Sequence, residues 1–219
     1  MMRIEVKICC IQSLDEAKLA IKYGASAIGL VSAMPSGPGV IPEEMIRDIA
    51  SQIPNNIKTF LLTSKMNPSE IISQLKKCGT NTVQLVDTVE ISVYELIRKQ
   101  LPEISIVQVI HIDDLKSINK SKDIEKYVDA ILLDSGNQNI EVKELGGTGR
   151  IHNWSISKQI VEEVNVPVYL AGGLNADNIQ EAIRIVKPYV VDLCTGVRTN
   201  NQLDEEKLKI FFNRVNTFN

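Results

Sequence analysis

Apolar residues along the chain follow two alternating spacings. Short runs rich in Ile, Val and Leu, such as Ile131-Leu132-Leu133, are each followed by a longer stretch whose apolar positions recur every three to four residues. The first pattern predicts a buried strand and the second an amphipathic helix. Strands are expected over residues 3–8, 26–31, 58–63, 82–86, 104–110, 128–133, 166–170 and 189–193. Helices are expected over 13–23, 42–52, 68–78, 91–100, 113–127, 155–164, 176–186 and 204–215. Local signals agree with these spans. Ser13 followed three residues later by Glu16 is a capping box, Pro42 suits a first helical turn, and Gly24 and Gly79 are C-terminal stops.

Eight strand–helix units in 219 residues leave about 27 residues each, lean but sufficient for a (β/α)8 barrel. Strands joined by crossover helices run parallel and are covered on both faces, which suits their aliphatic density. An open doubly wound sheet shows the same alternation, but it usually carries its phosphate loop after the first strand. Here the first turn holds no glycine and the glycines gather late. The expected fold is therefore an α/β TIM barrel. No Pro/Gly/Ser-rich linker interrupts the alternation, so residues 1–219 read as one domain.

Charge narrows the partners. With 24 Lys+Arg against 27 Asp+Glu, a net charge of −3 and both signs spread along the chain, there is no basic patch for nucleic acid. No apolar run approaches the roughly 20 residues that span a bilayer, so no membrane partner is expected. The start Met1-Met2-Arg3-Ile4-Glu5 lacks the features of a signal peptide, and a cytoplasmic location is the expectation. The four cysteines, adjacent Cys9 and Cys10 and solitary Cys78 and Cys194, have the spacing of neither a zinc site nor a disulfide framework.

In such a barrel the chemistry lies just beyond the C-terminal ends of the strands. The residues to weigh there are Cys9, the 32–41 loop, Gln84, His111, Asp134, Gly146-Gly147-Thr148-Gly149, Gly172-Gly173 and Thr195-Gly196. Three glycine-bearing turns after strands six, seven and eight suit a phosphate, because backbone N–H groups can approach an anion where no Cβ intervenes. Taken singly, Gly172-Gly173 and Gly196 read equally as tight turns. Arg150 offers a cation or is simply solvated. Cys9 and Asp134 offer a base and an acid; the bland readings are a small buried hydrophobe and a turn aspartate. His111 is given no role.

Taken in order, these residues resemble the phosphoribosylanthranilate isomerase family along the whole chain. Lys7-Ile8-Cys9 is similar to the family's opening motif, Val83-Gln84-Leu85 to its strand-four motif, and Leu132-Leu133-Asp134 to its strand-six ending. Gly146 to Gly149 with Trp154, Leu170-Ala171-Gly172-Gly173-Leu174 with Asn178, and Val191-Asp192 with Thr195-Gly196-Val197 complete the set. The resemblance implies a (β/α)8 barrel that needs no cofactor or metal and performs an Amadori rearrangement of a phosphoribosyl amine in tryptophan biosynthesis. Carried over by position, Asp134 is the general acid that opens the furanose and Cys9 the base that takes the C2 proton. Lys7, Gln84, Asp192, Gly147, Thr148, Gly149, Gly172, Gly173, Thr195 and Gly196 bind the phosphosugar. The partner is that small molecule, and the chain is a monomer or a homodimer.

Departures from the family pattern fall on the aglycone side. Cys10 stands where a glycine follows the catalytic cysteine. Gly37-Pro38-Gly39 replaces Ser-Pro-Arg, whose arginine pairs with the anthranilate carboxylate; Val86-Asp87 replaces His-Gly; and Arg198 replaces a glutamate. Arg198 is either a substitute cation for the carboxylate or a surface charge. Cys194, on the strand that closes against strand one, is expected near Cys9 or Cys10, as a reduced thiol or as a redox partner. Two alternatives to the isomerase stay open: the same chemistry on another phosphoribosyl amine or sugar phosphate, and a non-catalytic phosphosugar-binding barrel.

Overall fold

A computed structural model describes residues 4–136 and 151–218. Eight parallel strands, β1 (Glu5–Ile8), β2 (Ala27–Val31), β3 (Lys58–Thr63), β4 (Thr82–Leu85), β5 (Ser105–His111), β6 (Ala130–Asp134), β7 (Val168–Leu170) and β8 (Val190–Leu193), pair in chain order, and β8 closes on β1. Around them lie α1 (Leu14–Tyr23), α2 (Glu43–Ala50), α3 (Pro68–Cys78), α4 (Ile91–Gln100), α5 (Lys116–Ile124), α6 (Trp154–Glu163), α7 (Ile179–Val186) and α8 (Glu205–Asn216). The expected TIM barrel is the observed fold. Among the described residues, no helix is long and apolar enough to cross a membrane.

Polar side chains cap the starts of α1, α3, α6 and α8. Ser13 Oγ accepts the Glu16 N–H at 3.1 Å, Asn67 Oδ1 accepts those of Ser69 and Glu70, and Asp204 Oδ1 accepts that of Lys207. Gly24 and Gly79 end α1 and α3 in the left-handed conformation. The capping box at α1 is only half formed, because the Glu16 carboxylate reaches the Gln12 N–H instead of that of Ser13.

Several expected boundaries move for local reasons. Helix α5 begins at Lys116, not 113, because the Asp114 carboxylate accepts the Lys116 N–H in a turn, and it ends in a 3-10 turn at Glu125–Tyr127. Helix α7 begins at Ile179 because Asn175 Oδ1 takes the amides of Asp177 and Asn178 first. Strand β7 starts after Pro167, which has no N–H to give a ladder. A small antiparallel hairpin, β9 (Arg198–Thr199) and β10 (Gln202–Leu203), lies between β8 and α8 where no strand is expected from the apolar pattern.

Alternation within each strand sorts side chains between two cores. Ile8, Ile28, Leu61, Val83, Ile131 and Val191 pack outward against the helices. Ala27, Phe60, Val107, Leu132, Tyr169 and Val190 fill the barrel interior. The same parity turns Lys7, Gln84, His111, Asp134 and Asp192 inward, all buried.

Candidate active site

The floor of the site is an ion pair across the closing seam. Lys7 and Asp192 are register partners on β1 and β8, and Lys7 Nζ lies 2.7 Å from Asp192 Oδ2 and 4.9 Å from the centre of the Phe60 ring. Burial alone would discharge the ammonium. Asp192 and the neighbouring Cys9 thiol outweigh it and hold Lys7 protonated, above its ordinary range.

Cys9 follows β1, and its N–H donates to the Leu193 carbonyl at 2.7 Å, extending the seam by one residue. Its sulfur fills the space beside Gly29, where a Cβ would come within 2.7 Å of Sγ. A hydrogen bond from the Cys10 thiol lowers the Cys9 pKa; burial opposes this and the Lys7 cation reinforces it, so the thiol ionises more readily than a free cysteine. Cys10 moves the other way: contacts with Cys194 and with Cys9, together with burial, push its thiol well up and keep it a donor. Cys194 therefore lies against Cys10, as one of the two expected neighbours, and all four cysteines are free thiols.

Cys10 has φ +62°, the left-handed region that suits the glycine of the family pattern. Its Cβ projects onto Gly39, itself at φ +79°, where an added Cβ would stand 2.5 Å away. Two departures from the family pattern are thus in contact: with cysteine at position 10, position 39 has no room for a side chain.

Arg198 is neither a substitute for the missing arginine nor a surface charge. It is buried, and its guanidinium makes two bonds to the Glu16 carboxylate, Nη1–Oε1 at 2.9 Å and Nη2–Oε2 at 3.0 Å, and donates to the carbonyls of Cys10 and Asn201. Those donors are spent on holding the turn after Cys9.

Asp134 is the last residue of β6. Its Oδ1 accepts the Ser135 N–H at 2.7 Å, and burial raises the carboxyl pKa against the pull of that bond and of the neighbouring His111 and Lys7. The carboxyl is thereby held toward its protonated form. Gly172, at φ +81°, must be glycine: a Cβ would lie 3.0 Å from His152 Nδ1, 3.1 Å from Ser135 Oγ and 3.2 Å from Asp134 Oδ1. His152 bonds Ser157 Oγ through Nε2 at 2.7 Å, and burial lowers its pKa to about 4, so it is neutral near pH 7.

One cleft collects Cys9, Gln84, Asp134, Gly172, Gly173, Asp192 and Thr195. Val31, Met34, Leu62 and the Ser36-Gly37-Pro38 loop form its other wall. Lys7 lies beneath, reaching the cleft only through Asp192. Gly196 is not on the lining; a Cβ there would overlap the Leu174 carbonyl, so it lets the turn after β8 press on the turn after β7. That turn is tied by Asn178 Nδ2, which donates to the Gly173 carbonyl at 2.9 Å. Among the described residues, nothing accepts the amides of Gly172 and Gly173. Gly147, Thr148 and Gly149, with Gly146 and Arg150, lie outside the described residues. No group of three or more His, Cys, Asp or Glu side chains is arranged for a metal ion among the described residues.

The 32–41 loop named from the sequence includes Met34, and Ser135 was legible only as a turn residue; His152 was passed over, because it reaches the site through a loop that strand parity does not describe.

Known proteins resemble the chain over nearly its whole length. The family model for N-(5'-phosphoribosyl)anthranilate isomerase matches residues 6–214. A Methanosarcina mazei protein named N-(5'-phosphoribosyl)anthranilate isomerase 2 is 34% identical over 95% of this chain and 92% of its own length. The solved isomerase of Pyrococcus furiosus superposes with a TM-score of 0.82 at 25% identity, covering 98% of this chain and all of that one. A further isomerase, solved in complex with reduced 1-(o-carboxyphenylamino)-1-deoxyribulose 5-phosphate, superposes with a TM-score of 0.78 at 25% identity, covering 98% and 99%. A match over nearly the whole chain, on a closed eight-stranded barrel, makes this protein a member of the N-(5'-phosphoribosyl)anthranilate isomerase family, whose enzymes are intramolecular oxidoreductases.

Proposed function

We propose that the chain converts N-(5-phosphoribosyl)anthranilate to its 1-deoxyribulose 5-phosphate product in tryptophan biosynthesis, with Asp134 as general acid and Cys9 as general base. The observation that supports this most directly is a carboxyl with a raised pKa and a thiol with a lowered one on the walls of a single cleft. Two titratable groups driven toward opposite protonation states divide acid and base work between them. Asp134 gives its proton to the furanose ring oxygen as the C1–O bond breaks and a Schiff base forms. The Cys9 thiolate then takes the proton from C2, leaving an enolamine that becomes the ketone.

The phosphate is held by the amides of Gly172 and Gly173 and by Thr195. Gln84 and Asp192, with polar atoms facing the same space, take sugar hydroxyls. Gly196 supports this cradle by letting its turns touch, and Lys7 supports it by anchoring Asp192.

The test uses the fluorescence of the anthranilate adduct. The wild-type chain is expected to consume the signal, and Cys9→Ser and Asp134→Asn each to lower kcat by roughly 100-fold or more. Turnover unchanged in either variant overturns that residue's role. One observation favours a second reading, the same ring opening on a different phosphoribosyl amine: no lysine or arginine lines the cleft among the described residues, so an aglycone carboxylate has no cation there. Slow turnover of the anthranilate adduct beside fast turnover of an uncharged analogue would select it. Absence of turnover with both, alongside thermal stabilisation by phosphosugars, would select a binding barrel instead.

A further inference from the structure

An Amadori rearrangement moves a proton at four places: onto the furanose oxygen, off C2, off the C2 hydroxyl (O2) and onto C1. Asp134 serves the first and Cys9 the second. Ketone formation from the enolamine needs the other two, and O2 is bonded to the very carbon whose hydrogen Cys9 takes. A group that receives the O2 proton must therefore lie close to Cys9.

Asp192 meets that requirement. It is the register partner of Lys7 on the closing β1–β8 seam, and Cys9 stands two residues beyond Lys7 with the same inward parity. The Asp192 carboxylate is near enough for its charge to act on the Cys9 thiol, and both residues line the cleft. Its two oxygens differ. Oδ2 is bound by Lys7 Nζ at 2.7 Å, and Lys7 lies off the lining, so Oδ1 is the oxygen left for the cleft. Oδ1 is buried and has no hydrogen-bond partner, a costly state for an acceptor unless a ligand donates to it. Gln84 Oε1 is likewise orphaned, but it sits on β4, across the barrel from β8, and an amide does not hold a proton. Burial lifts Asp192 above the ordinary carboxylate range and Lys7 opposes it, leaving a stronger base than a free aspartate.

We propose that Asp192 is a catalytic residue for ketone formation, its Oδ1 accepting the O2 hydroxyl and taking its proton while the Cys9 thiol delivers a proton to C1. This rests on the reading of Asp134 and Cys9 as acid and base. The O2–H bond breaks, and its electron pair becomes the second bond of the C2 carbonyl. The C1=C2 pair takes the proton from sulfur, a C1–H bond forms, and the thiolate is restored. The hydrogen lost from C2 thus ends on C1. Asp134 finishes one proton short and Asp192 one proton over, and exchange with solvent resets both. Lys7, held as an ammonium on Oδ2, favours the Asp192 anion and so promotes that release.

Substrate deuterated at C2 provides the test, with the label at C1 of the product read by NMR. The wild-type product is expected to keep a measurable share of the deuterium. Asp192→Asn retains an oxygen for the O2 hydroxyl but cannot hold its proton, and kcat should fall by roughly 100-fold or more. Label retention should fall with it, because a longer-lived enolamine gives the S–D group time to exchange with water. Unchanged kcat, or a lower kcat with unchanged retention, overturns the proposal, and so does a wild-type product free of deuterium. Full activity of Cys9→Ser or Asp134→Asn instead overturns the reading beneath it, a distinguishable result. Should Asp192→Asn fold poorly, Asp192→Glu decides. It keeps a charge opposite Lys7 but moves the carboxylate by one methylene, so retention should again fall, and unchanged retention overturns the proposal.

Discussion

Cys10 occupies backbone space that L-residues avoid, at a cost of about 1–2 kcal/mol, and in return places a thiol donor on the sulfur of Cys9. The contact with Gly39 makes this arrangement testable. Gly39→Ala is expected to destabilise the fold by about 1–3 kcal/mol, through overpacking and a strained φ, as read by urea unfolding. Adding Cys10→Gly should recover part of that loss, so that a double-mutant cycle gives a coupling well above about 0.5 kcal/mol. Additive effects would mean that the two positions do not compete for space. Each departure is visible in the sequence, but their contact is not. The periodicity that assigns strand residues to an inner or outer face stops where the loops begin, and 29 positions separate the pair.

The β9–β10 hairpin shows what a single ion pair can organise at the level of an element. Glu16 on α1 receives Arg198, the Leu203 and Gln12 amides and no solvent-facing partner, joining the first helix to the last loop. Arg198→Ala leaves that half-buried carboxylate with only the Leu203 and Gln12 amides and should cost about 1–3 kcal/mol. It also releases the Cys10 carbonyl, so activity should fall more steeply than the unfolding midpoint alone predicts. Burial works to raise the Glu16 pKa, but bonds from Arg198, Leu203 and Gln12 prevail and lower it. The contribution is accordingly full above the unfolded glutamate value of about 4.3 and disappears as pH falls through the lower folded value. The stability gap between wild type and Arg198→Ala should therefore narrow in acid. The hairpin had a signal in the sequence, the pair Asn200-Asn201 at its two-residue turn, where both residues are left-handed. Its strands are only two residues long, too short for any apolar alternation. Arg198 misled for a different reason, since a charge reads as exposed unless its partner, 182 positions away, is known.

At the scale of the molecule, the barrel was legible because every unit repeats an aliphatic run followed by an amphipathic helix. Closure was legible only by analogy of count, since no local pattern tells β8 to find β1. In the structure that seam is marked by Lys7 and Asp192, buried together at the same register. Lys7→Met should destabilise the protein by about 3–5 kcal/mol by stranding Asp192, and combining it with Asp192→Leu should return all of that loss and add about 1–4 kcal/mol beyond the wild type. Neither variant should regain activity, because the cation that favours the Cys9 thiolate is absent from both. A titration of thiol reactivity with an alkylating reagent would register this as a shift of Cys9 toward higher pH. Greasing the axis of the cylinder would thus give a sturdier vessel with an idle nucleophile. Hardiness and turnover compete here for one amine, and a screen for heat resistance alone would be expected to discard it.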